Sequence, residues 1–162
     1  MTRGFLLISS LLLCVLLLTL GLGIMGSRSR FYEASSQNRR AAQARALAEA
    51  GFEDARVKLM KDYDFPPLGA DDQALFSYHE AMPDVGGGPV IGGYVVTLDS
   101  TYRQPPYRVE RITATGYLGP RDNPTAVHKI EAELDLSQTD RQTGAPPNPN
   151  LFQLLNYREG RL

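Results

Sequence analysis

Residues 5–26, FLLISSLLLCVLLLTLGLGIMG, form a run of 22 residues without one charged side chain, and ten of the 22 are Leu. At about 1.5 Å of rise per residue, a helix of this length reaches across a hydrocarbon core of about 30 Å. Each Leu favours insertion by roughly 0.3–0.6 kcal/mol near the helix centre, so Ser9, Ser10, Thr19 and the glycines do not prevent it. The run therefore predicts a transmembrane helix. A secretory signal peptide has an apolar stretch of only about 7–15 residues ahead of a small-x-small cleavage site. This run is longer, and Gly-Ile-Met-Gly before Ser27 matches that site poorly. An uncleaved signal anchor stays open as a second reading.

The net charge of −1 hides an asymmetry: residues 27–61 carry eight Arg/Lys against four acids, and residues 62–162 carry eight against fourteen. A basic stem thus precedes an acidic head. Such a pattern fits a solvated helix beside acidic loops, and it would also let stem and head of neighbouring chains attract. The positive-inside rule alone does not favour export of the head, because Arg28 and Arg30 follow the run while Arg3 precedes it. The single cysteine, Cys14, lies inside the run, so the head has neither a disulfide nor a thiol nucleophile.

Residues 27–62 contain no Pro and read as a continuing helix. Ala44, Ala48, Gly51, Phe52, Ala55 and Leu59 recur at three- and four-residue spacing and make one apolar stripe, opposite a charged side. Asp64-Phe65-Pro66-Pro67 ends this stem, since a residue before Pro is driven out of the α region. Residues up to 93 then read as a connecting region with few periodic signals. Three strands follow. In 94–98, Tyr94, Val96 and Leu98 share a face; in 107–118, Ile112, Ala114 and Leu118 oppose Arg111, Thr113, Thr115 and Tyr117; in 126–136, Ala126, His128, Ile130, Ala132, Leu134 and Leu136 oppose Lys129, Glu131, Glu133 and Asp135. One apolar sheet face needs a cover, and the Ala-rich stem is the amphipathic partner at hand. The expected fold is α+β: a long N-terminal helix, with a transmembrane half and an amphipathic half, packed on a small antiparallel β-sheet.

Residues 137–150 are polar and Pro-rich and predict a linker or poorly ordered arm. Leu151, Phe152, Leu154, Leu155 and Tyr157 then concentrate apolar side chains, which reads either as a segment docking on its own head or as a partner-binding tail, a short helix in another subunit's groove.

Nothing in the sequence assembles into reaction chemistry. There is no His-x-x-x-His, Cys pair or Gly-x-Ser-x-Gly. His79 falls in the connecting region and His128 on an apolar strand face, where it reads as a half-buried core residue. Asp71-Asp72 lacks further oxygen ligands at the spacing of a cation loop, and Gly86-Gly87-Gly88 lacks the Gly-Lys-Ser/Thr that completes a phosphate loop. The expectation is a non-enzyme without cofactor or metal. Nucleic acid is an unfavoured partner, because the basic stem has no interleaved aromatics and its arginines fall on several faces.

The residues ahead of the run, Arg3-Gly4-Phe5-Leu6-Leu7, resemble the processing site of type IV prepilins and type II secretion pseudopilins. The resemblance implies a leader of residues 1–4, cleavage by a prepilin peptidase between Gly4 and Phe5, and N-methylation of Phe5. It implies a filament-core helix over 5–26, a stem over 27–62, a β-rich head over 63–136 and a tail over 137–162. The family usually has Glu at the fifth mature position, where this chain has Ser9. That carboxylate neutralises a neighbour's buried ammonium, and leaving such a charge unpaired is costly, so Ser9 fits a minor subunit of the PilX type rather than a major pilin. Gly21, Gly23 and Gly26 become candidates for helix melting during assembly. The implied partners are other pilin or pseudopilin subunits, the peptidase, an inner-membrane assembly platform and membrane lipid. The implied location is the inner membrane with the head outside the cytoplasm, then a type IV pilus or periplasmic pseudopilus. The alternative is a single-pass anchored envelope module, a sensor or DNA-uptake receptor, that never assembles.

Overall fold

A computed structural model describes residues 2–66, 74–84 and 86–161, with side chains described for 8–22, 30–66, 74–84 and 86–160. One helix, α1 (Thr2–Lys61), is followed by five strands: β1 (Leu75–Pro83), β2 (Val90–Asp99), β3 (Val109–Leu118), β4 (Ala126–Asp135) and β5 (Leu154–Arg161). The chain divides into two compact units, Met1–Arg39 and Arg40–Leu162.

The first unit is helix alone. The second is α+β: residues 40–61 of α1 lie on one face of a single antiparallel sheet with strand order β1-β2-β3-β4-β5. The stripe read from the sequence is the buried side of this helix segment, with Ala44, Ala48, Ala55 and Leu59 fully buried and Phe52 nearly so. They meet Val96, Leu98, Ile112, Ala114, Ile130, Ala132 and Leu134, which arrive from β2, β3 and β4 on the same sheet face. The register aligns these positions in rows across the strands: Tyr78, Val96, Ala114 and Ile130 form one, and Phe76, Leu98, Ile112 and Ala132 the next.

Glycine sets how closely helix and sheet approach. A Cβ on Gly116 would stand 2.2 Å from the Ala44 carbonyl oxygen and 2.3 Å from the Ala48 nitrogen, so the helix backbone rests directly on β3 there. On the helix, a Cβ at Gly51 would sit 2.8 Å from the Tyr94 ring.

The structure corrects the sequence reading in five respects. The sheet has five strands, not three. The connecting region contains β1, whose Phe76, Tyr78 and Met82 pack on the core. Residues 137–150 are not an arm: the Asp135 carboxylate accepts hydrogen bonds from the Ser137 N–H (2.8 Å), Arg141 Nη2 (2.8 Å) and Nε (3.0 Å) and Asn148 Nδ2 (3.1 Å), which fold the segment back on the end of β4. The segment considered as a short helix instead pairs with β4 as strand β5. Tyr117, expected on the wet face, is nearly buried because its ring lies over Gly93, its partner on β2.

Candidate functional site: an unpartnered apolar helix and a polar-latched head

Along residues 8–22 of α1 every described side chain is exposed. Ile8 is 67% exposed and Leu22 70%, with eight further Leu and Val side chains at half or more between them. The polar groups in this stretch do not interrupt the helix; the Thr19 hydroxyl donates to the Leu16 carbonyl at 2.9 Å. Ser9 is exposed, as is Cys14, which forms no disulfide. A Cβ on Gly21 would meet nothing within 4 Å, and the helix continues without a break through Gly21, Gly23 and Gly26. Of Gly4, Phe5, Gly23 and Gly26 only the helical backbone is described, and Asp71-Asp72 lies outside the described residues. Among the described residues no helix is long and apolar enough to cross a membrane, and of the run of 5–26 the described side chains are those of 8–22.

The head is latched by three polar clusters that sequence reading missed. The first ties the helix to β1 and β2. The Asp54 carboxylate accepts from Lys58 Nζ at 2.6 Å and the Tyr78 hydroxyl at 2.8 Å, while the Tyr94 hydroxyl donates to Glu80 at 2.8 Å. Burial, reinforced by these carboxylates, pushes both tyrosine hydroxyls well above their ordinary pKa, so they remain donors.

The second cluster closes the end of α1. Arg103, on the β2–β3 connection, donates to the Phe65 carbonyl at 2.7 Å and to that of Tyr63. Beside it the fully buried Glu110 accepts from the Ser100 hydroxyl at 2.8 Å through Oε1. Its Oε2 has no hydrogen-bond partner, since Arg103 Nη1 is 3.7 Å away, too far for a hydrogen bond. Burial raises the Glu110 pKa, with Ser100 and Arg103 pulling the other way. The signal was available: Glu110 shares the parity of Ile112 and Ala114, which places it on the helix-facing side of β3.

The third cluster is the Asp135 fold-back. Burial works upward on this carboxyl, but the hydrogen bonds from Arg141, Ser137 and Asn148 outweigh it and hold the pKa below its usual value. No local pattern signals it, because the partners are up to 13 residues away.

The tail residues separate. Leu151 and Phe152 are half-buried, and the Phe152 ring meets Tyr63 edge-on at 6.5 Å. Leu154, Leu155 and Tyr157 are exposed on β5. His79 lies exposed on β1. His128 is buried, with Nε2 lacking a hydrogen bond and 3.9 Å from a Glu159 carboxylate oxygen.

The sheet face turned away from the helix is polar. Ser77, Thr97, Thr113, Glu131 and Arg158 form one row, and Asp99, Arg111, Glu133 and Asn156 the next. Arg111 donates to Glu133 at 2.9 Å, which raises its pKa, and a shallow recess of about 270 Å³ opens between these residues. Among the described residues no group of three or more His, Cys, Asp or Glu is placed to hold a metal ion. The polar clusters join structural elements: Asp54 and Glu80 to tyrosines of β1 and β2, Arg103 to the end of α1, and Asp135 to the segment after β4. Among the described residues the arrangement offers exposed apolar helix surface at 8–22 and a head whose helix segment and sheet are joined by polar clusters. No family model, no curated protein and no solved structure matches this chain.

Proposed function

We propose that this chain is a minor pilin or pseudopilin, a structural subunit that initiates, caps or decorates a type IV pilus or type II secretion-like filament. One observation carries the reading. Along α1, residues 8–22 present large apolar side chains that are exposed among the described residues, whereas the stripe from Ala44 to Leu59 is covered by the sheet. Apolar surface on that scale calls for lipid or other helices. The prepilin-like site at Gly4 and Phe5 supplies the route from one to the other: inserted as a precursor, trimmed, then packed beside other subunit helices. Ser9 restricts where in a filament the subunit sits, because it offers no carboxylate to a neighbour's ammonium.

The test is the N-terminus of the protein recovered from cells with and without a prepilin peptidase. A mature chain beginning at N-methylated Phe5, seen by intact-mass spectrometry only when the peptidase is present, supports the proposal. A chain that keeps residues 1–4 in peptidase-containing cells and never co-purifies with filament subunits sinks it, and leaves the anchored binding module as the better reading.

A further inference from the structure

β5 is unlike the other strands. All of its residues over 154–160 are exposed, whereas β1 packs Phe76, Tyr78 and Met82 half-buried on the core and β2, β3 and β4 each bury three or more side chains. Its hold on the sheet is the backbone ladder to β4, from His128↔Arg161 to Leu134↔Leu154, with a register shift at Glu133/Leu134. Beyond the ladder, among the described residues, Glu159 takes Arg45 at 3.2 Å and the Tyr157 hydroxyl at 3.0 Å, with His128 at 3.9 Å. The net gain from a backbone hydrogen bond is no larger than the entropy lost in ordering the residue that makes it. A strand that buries no side chain is therefore close to break-even, and it opens long before the rest of the sheet.

The chain also bends sharply just ahead of it. Phe152 has φ of 61°, in the left-handed region that a bulky side chain avoids, and it is fixed there by its N–H to the Asp135 carbonyl (2.8 Å) and by its ring against Tyr63. The segment up to Gln153 is anchored off the ladder, by Asp135, Asn148, Asn150 and Tyr63; from Leu154 on, the chain is held by the ladder to β4 and the contacts of Glu159. The hinge thus falls between Gln153 and Leu154.

When β5 lifts, β4 presents an open strand edge, and such an edge recruits another strand. The edge is specific, because a strand that fills it must set a carboxylate against Arg45 and His128 at the position of Glu159. A second copy of this chain carries that strand. We infer that β5 is exchangeable, and that the β4 edge accepts residues 154–161 of a second copy in the register its own β5 occupies. The exchange needs only the head and does not depend on filament assembly.

Ala132 and Tyr157 face one another in the β4–β5 register, which gives the test. Two full-length, detergent-solubilised versions, both carrying Cys14→Ser, are mixed and oxidised: one with Ala132→Cys, the other with Tyr157→Cys and a longer tag. The expected product is a heterodimer bridged between positions 132 and 157, mapped by peptide mass spectrometry. Its yield rises with protein concentration and falls several-fold when Glu159→Lys is added to the second version. The double variant Ala132→Cys/Tyr157→Cys reports the register itself. If it closes within each chain while the mixture gives no such bridge at any concentration, β5 does not exchange and the inference is wrong. A double variant that closes neither way also overturns it, because the register is then wrong. So does a Ser77→Cys version that captures the Tyr157→Cys chain as readily as Ala132→Cys does.

Discussion

Residues 8–22 and 44–59 belong to the same helix and are both rich in apolar side chains, yet they differ in side-chain size. The covered stretch is built on Ala44, Ala48, Gly51 and Ala55, with Phe52 and Leu59 toward its end. The sheet comes so near that only small residues fit: the Gly116 position touches helix backbone. The uncovered stretch is mostly Leu. Small residues mark a helix surface whose partner is a backbone at fixed, short distance. Large flexible ones mark a surface that meets a soft apolar medium or the side chains of other helices. Size, as much as hydrophobicity, separates the half of this helix that the sheet covers from the half whose described side chains are exposed.

The same substitution made in both halves breaks or upholds that distinction most directly. Leu59→Ala should lower the unfolding free energy of the head by about 2–5 kcal/mol, the range for emptying a buried Leu site. Leu16→Ala should leave it within about 0.5 kcal/mol, since Leu16 touches no core. Urea titration of the full chain in detergent, followed by head tyrosine fluorescence, measures both. Equal effects would mean that residues 8–22 are part of the head's stability after all.

Glycine sharpens the comparison. Gly116→Ala should cost about 1–3 kcal/mol, because the new methyl group meets helix backbone, which cannot step aside as a side chain can. Gly21→Ala should raise helix stability by up to about 1 kcal/mol, with open space around it and better helix propensity. Opposite signs are expected, from thermal unfolding for Gly116→Ala and from helical circular dichroism for Gly21→Ala.

How much of this was legible follows from where each signal lives. The stem stripe and strands β2, β3 and β4 were readable because each buries one face of a regular element, and burial imposes a period. β1 was obscured because its inward positions include Glu80 and its outward ones include Leu75 and Ala81, which blurs the alternation. β5 buries nothing and so carries no period at all. The order of residues 137–150 comes from Asp135, a buried charge whose position on the nominally wet face of β4 gives no hint of the segment that folds over it. As for the candidate surface, the apolar run was plain in the sequence, whereas the polar latches of the head were not.

The stem's end and the fold-back at Asp135 respond to pH in opposite directions. Glu110 has a raised folded pKa, so its contribution is complete below the ordinary carboxyl range and is lost as pH rises through its folded value. Asp135 has a lowered one, so its contribution is complete above that range and is lost as pH falls through its folded value. Head stability should therefore peak near the ordinary carboxyl pKa of about 4 and decline on both sides. Glu110→Gln should flatten the decline toward neutral pH, and Asp135→Asn the decline toward acid. Urea midpoints across pH test this; a Glu110→Gln profile that keeps the wild-type slope above the peak would show that the buried carboxyl does not control the helix end.

The smallest effect probes the limit of what the covered half of the helix supports. Its direct ionic contact with β5 is Arg45 to Glu159, with side chains 51% and 34% exposed. An ion pair so open to solvent contributes about 0.2–1 kcal/mol at most and weakens with salt. Arg45→Ala should thus leave global unfolding nearly unchanged, yet speed hydrogen exchange of the β5 amides, because a strand with no buried side chain has little else beyond its ladder to slow its opening. Raising the salt should bring wild type and variant together. If β5 amides exchanged as slowly as those of β3 in both, the strand would belong to the core despite its exposure, and the boundary between what the helix holds and what it leaves free would have to be drawn beyond β5.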